Sequence, residues 1–75
     1  MKLDLSPRES LIVRIQAFTH ENVIYGNYGK AQAVANDCLA SFDSMVNDGG
    51  VDPDTYGYWA SFYVRAYQHE VADLC

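Results

Sequence analysis

From Ala31 to Val64 the chain has neither lysine nor arginine. A stretch without cations has nothing to neutralise phosphates, so direct nucleic-acid binding is disfavoured on charge alone. Long apolar runs are also missing, and none reaches the roughly 18 residues needed to span a bilayer. Met1-Lys2-Leu3-Asp4-Leu5 holds one lysine, an early aspartate and no apolar core. No signal peptide is therefore expected, and the expected location is the cytoplasm. Two cysteines, Cys38 and Cys75, are too few for a disulfide framework and fit a reducing compartment.

The cation-free stretch carries five aspartates instead: Asp37, Asp43, Asp48, Asp52 and Asp54. Their combined charge equals the formal net charge of −5 of the 75-residue chain. Such a one-signed middle projects a directional negative field, which repels nucleic acid and attracts basic protein surfaces. Apolar residues make up 49% and charged residues 20%, the balance of a globular protein rather than a disordered one. The length fits one small domain, residues 1–75, built on a single core.

Helical punctuation is clear. Ser6-Pro7-Arg8-Glu9 offers a serine N-cap, proline at the first position and a glutamate able to reach back to the cap. At about 100° per residue, Leu11, Ile15 and Phe18 then share one stripe, with Val13 off it. The first helix is predicted over about 7–22, and Gly26, Asn27 and Gly29 make the turn. In the second, about 28–48, Ala31, Val34, Ala35, Cys38, Leu39, Phe42, Met45 and Val46 fall within about 140° of arc. Gly49-Gly50 stops it through the left-handed geometry that glycine adopts cheaply. The third, about 53–73, opens with Asp52 as N-cap and Pro53 at the first position. No segment alternates with period two for more than a few residues. The predicted fold is all-α, a compact three-helix bundle.

The third helix shows two faces. Tyr56, Trp59, Ala60, Tyr63, Tyr67, Val71 and Leu74 form the predicted core stripe, and Tyr58, Phe62, Arg65 and His69 lie nearly opposite. Tyr58 and Phe62 are four residues apart, so their rings are expected to be neighbours. Three readings compete: helix one or the Val23–Tyr28 segment covers this second face, or the face is a partner-binding patch, where aromatics and arginine are enriched, or its apolar rings are simply scattered surface residues.

Motifs for chemistry are sparse. His69 and Asp73 could grip a metal from one helix face, with Cys75 and His20 in reserve, but paired-cysteine spacing is absent and no metal is expected. Cys38 on an apolar face argues against a reactive thiolate, since burial raises a thiol's pKa. No nucleophile elbow or phosphate-cradling glycine loop occurs. No catalytic, cofactor-binding or metal residue is assigned, and an enzyme is not expected.

The expectation that remains is a small acidic protein-binding domain without catalytic function. Its docking residues would be Asp37, Asp43, Asp48, Asp52, Asp54, Tyr58, Phe62, Arg65 and His69, set against a basic, nucleic-acid-binding protein surface. Size, autonomy and charge are together similar to the small inhibitors that phages use against host enzymes and defence systems, anti-CRISPR proteins included. The alternative is a self-associating subunit, with Tyr58 and Phe62 as a two-fold seam.

Overall fold

Ser6 begins the first helix as its sequence suggests. In the computed structural model, which describes residues 6–75, its hydroxyl oxygen accepts from the Glu9 amide at 3.2 Å. The Glu9 carboxylate reaches back to the cap as expected, accepting from that same hydroxyl at 2.9 Å. Helix α1 spans Pro7–Asn22, α2 spans Tyr28–Asn47 and α3 spans Tyr56–Glu70, joined by short 3-10 turns, with no strand among the described residues. The all-α three-helix architecture is thus the one read from the sequence. The leader reading of Met1–Leu5 lies outside the described residues.

The joints follow local chemistry. Val23 ends α1 in extended geometry (φ −89°, ψ 133°) and is itself buried, while Ile24 turns outward. Gly29 is not in the turn; α2 has already begun at Tyr28. Gly49 takes φ 71°, the left-handed conformation expected after α2. Asp52 caps the next turn by accepting from the Asp54 amide at 3.1 Å, but Pro53–Thr55 form a 3-10 turn before α3 proper starts. At its far end α3 stops at Glu70 rather than near Asp73. Ala72–Leu74 tighten into a further turn, and the Leu74 carbonyl accepts from the Ile24 amide at 3.4 Å. That bond ties the C-terminal end to the α1–α2 joint, which a straight helical continuation would not do.

Cross-links give the topology. Arg14 meets Ser61, Thr19 meets Tyr67 and Ile24 meets Leu74, so α1 and α3 run parallel. Arg8 meets Asp43 and Tyr28 meets the His20 carbonyl, so α2 runs against α1. Helix α3 packs on both others, and the α1–α2 interface is the smallest of the three. The Cα radius of gyration is 12.8 Å with extents of 37 × 33 × 15 Å, a flattened body. A more spherical chain of this length would have a radius of about 11 Å.

The core consists of Leu11, Ile15 and Val23 from α1 and its end, Ala31, Ala35, Cys38 and Phe42 from α2, and Ala60, Val64, Tyr67 and Val71 from α3 and its end. Val64, 1% exposed, was absent from the predicted stripe, and Tyr56, Trp59 and Tyr63 are only partly buried. The buried line of α3 is therefore rotated toward its small residues and away from the aromatic side. Small side chains let α1 and α2 approach closely, and the larger rings fill the margins.

Tyr67 is wholly buried and meets Phe18 edge to face at a centroid distance of 6.2 Å. Its hydroxyl hydrogen-bonds Thr19, whose own hydroxyl donates to the Ile15 carbonyl at 2.8 Å. Tyr67 must therefore be the donor to Thr19. Thr19→Val should leave a buried phenol without an acceptor and cost about 1–3 kcal/mol in urea unfolding. Adding Tyr67→Phe should recover part of that loss. A double variant as unstable as the two single losses summed would show that the hydroxyls are not coupled.

Candidate functional site

No other described residue covers the face of α3 opposite Val64 and Tyr67. Tyr58 is 61% exposed and Phe62 45%, which overturns the reading that another segment lies over them. Helix α1 approaches one flank, where Arg14 donates to the Ser61 hydroxyl at 2.9 Å, and α2 approaches the other through Tyr63 and Phe42. The strip between those flanks faces solvent.

Its rings form a continuous series. Tyr58 packs edge-on against Trp59 at 5.4 Å, Trp59 against Phe62 at 5.5 Å, and Phe62 against Tyr63 at 5.4 Å. Tyr63 in turn meets the buried Phe42 at 6.1 Å, and Phe42 meets Tyr56 at 6.5 Å. Tyr58 and Phe62 are thus linked through Trp59. Edge-to-face pairs add about 0.5–1.5 kcal/mol each beyond area burial, so the exposed rings are held in place from the core outward. Arg65 and His69, both exposed, continue the same α3 face by helical spacing.

The aspartates do not gather on it as one patch. Asp43 forms the one ion pair among the described residues, receiving Arg8 Nε at 2.9 Å, and that pairing holds the guanidinium's pKa above its ordinary value. The negative middle of the sequence is thereby partly neutralised in space by a cation from α1. Asp52 serves as an N-cap, Asp54 sits in the turn that follows it, and Asp48 caps the C-terminal end of α2. Asp37 is exposed on α2. Asp37 and Asp48 are separated by about 16 Å of helix.

Two clefts flank the core. One, of about 260 Å³, lies between the start of α1 and the end of α2, with Phe42, Val46 and Tyr56 in its wall and the Arg8–Asp43 pair beside it. The other, of about 250 Å³, runs between α2 and α3, where Val34, Cys38, Tyr63 and Ala66 make apolar walls and Asp37, Ser41 and Glu70 add polar groups. Glu70 was not anticipated as a site residue. Its signal is the spacing Tyr63, Ala66, Glu70 on α3 facing Val34, Asp37, Cys38, Ser41 on α2. Both clefts fall below the roughly 300–1,000 Å³ of cofactor and drug-sized sites.

Cys38 does have a cleft beside it, but no histidine lines that cleft. Its thiol pKa is raised, first by burial and then by the charges of Asp37 and Glu70. The folded chain therefore holds this proton more tightly than the unfolded chain. The associated stability is present below the ordinary thiol pKa of about 8.5 and is lost as pH rises through the higher folded value. At pH 8 a disulfide reagent should modify Cys75 quickly and Cys38 only slowly until denaturant is added. Glu70→Gln should lower the pH at which Cys38 begins to react. Equal rates for both thiols in the folded chain would contradict this picture. Comparison with protein-family models, curated proteins and solved structures returns no match, so function must be read from the geometry itself.

Proposed function

We propose that the chain is a small protein-binding domain without catalytic function, which docks the aromatic face of α3 on a basic protein surface. The observation that carries this reading is the exposure of Tyr58 and Phe62 on a helix whose other side already forms the core. Rings held edge-on from beneath lose little rotamer freedom on binding, and tyrosine, tryptophan and arginine are the residues that most often dominate interface energetics. The net charge of −5 supports a partner of opposite sign, and surfaces of that sign are common where proteins hold nucleic acid.

In its sharper form the domain is a competitive inhibitor of such an enzyme, of the kind carried by phages and mobile elements. The cytoplasm, where those targets reside, is also where two unbridged thiols persist.

The test is affinity capture from a nuclease-treated bacterial lysate with the intact chain and two variants. Tyr58→Ala with Phe62→Ala should abolish capture while lowering stability by about 1.5–4.5 kcal/mol, the worth of their three edge contacts. Asp37→Lys with Asp48→Lys should weaken capture and leave helicity unchanged by circular dichroism. A partner retained by the ring variant would refute the aromatic face as the docking surface. No partner, together with a light-scattering mass of two chains, would replace this reading with self-association through the same rings.

A further inference from the structure

We propose that the groove between α2 and α3 receives a basic amphipathic helix of the partner protein. The helix would lay its apolar edge along Cys38, Tyr63 and Phe62, with lysines or arginines turned to Asp37 and Glu70. The proposal rests on the protein-binding reading above and names the element that such a partner would present.

Charge selects the occupant. The other acids in the α2–α3 half of the fold lie away from this cleft: Asp43 is paired with Arg8, Asp48 is the C-cap of α2, Asp52 and Asp54 occupy the start of a helical turn, and Asp73 sits in the final 3-10 turn. Asp37 and Glu70 border the apolar cleft, and no cation is among its lining residues. Glu70 also ends α3, the negative end of the helix dipole, where a carboxylate is locally unfavourable. Both carboxylates line the cleft beside Cys38, and after burial their charges help hold its thiol pKa up.

Shape selects its form. The cleft, of about 250 Å³, suits one or two inserted side chains, and the Tyr63–Phe62–Trp59–Tyr58 series extends the contact along α3. From Glu70 back to Tyr58 is about 18 Å, longer than the roughly 10.5 Å over which a docked helix presents anchors at i, i+3, i+4 and i+7. A peptide adding as a β-strand would need a sheet edge, and the described residues contain no strand. A second copy of this chain, at −5, would bring more acid to an acidic groove.

The probe is a fluorescein-labelled leucine–lysine peptide of about 16 residues with leucine on one helical face, long enough to span the groove at about 1.5 Å per residue. Its control replaces every lysine with glutamate. Fluorescence anisotropy should show binding of the lysine peptide alone. Asp37→Asn with Glu70→Gln should weaken that binding at least about tenfold, equivalent to about 1.4 kcal/mol. Glu9→Gln with Glu21→Gln removes the same charge from the exposed side of α1 and should change it by less than about twofold, as distant screened charges do. On the unaltered chain, amide shifts on titration should centre on Cys38, Tyr63 and Ala66. Equal weakening in both charge variants, or shifts spread away from the groove, would overturn the proposal. If the lysate partner is lost with the ring variant yet kept by Asp37→Asn with Glu70→Gln, the protein-binding reading stands and the groove helix is wrong.

Discussion

A phenol withdrawn from solvent must find an acceptor, and Tyr67 finds one on α1. It donates to Thr19, which donates to the Ile15 carbonyl, while Phe18 closes on its ring. This contact fixes two things at once. It locks α1 parallel to α3, and it sets the rotation of α3 about its own axis. With Tyr67, Val64 and Ala60 turned inward, Tyr58 and Phe62 have to turn outward, because they lie about half a turn around a helix of 3.6 residues per turn. The exposed rings are a consequence of how the core is satisfied.

The small core sharpens the point. The flattened body leaves three helices sharing a few buried residues, and α3 serves both of its neighbours. An apolar side chain left outside such a core costs the domain potential burial of about 25 cal/mol per Å². Phe62 remains 45% exposed while Ala60 occupies the centre, and it is on that exposure that the proposed docking face rests. The acids divide in the same way: Asp43 pairs with Arg8, Asp52 caps the turn in which Asp54 lies, Asp48 caps the end of α2, and Asp37 borders the α2–α3 groove with Glu70.

Much of this was legible in the sequence. Ser6-Pro7, Asp52-Pro53 and Gly49 act through local backbone chemistry, so the helix starts and the stop after α2 could be read without tertiary information. The apolar arc of α2 was legible because its opposite side is polar. Helix α3 was harder, because aromatic residues occupy most of its circumference and pulled the apparent core toward Trp59 and Tyr63, away from Val64. Whether Tyr58 and Phe62 were covered depended on where α1 and α2 settle, which periodicity within one helix does not encode. The same holds for the Arg8–Asp43 pair, which joins residues 35 apart in sequence, and for the groove, whose two walls come from different helices.

The central claim is that the aromatic face of α3 is open to solvent in the isolated chain. It is tested most directly by relaxation enhancement of aromatic ring protons by a neutral gadolinium chelate, followed over a range of protein concentrations. The structure predicts strong enhancement at Tyr58 and Phe62, comparable with the exposed Tyr25 and independent of concentration, and little at Tyr67. Rings of Tyr58 and Phe62 as protected as Tyr67, even at the lowest concentration, would mean that the face is already covered and would contradict the account.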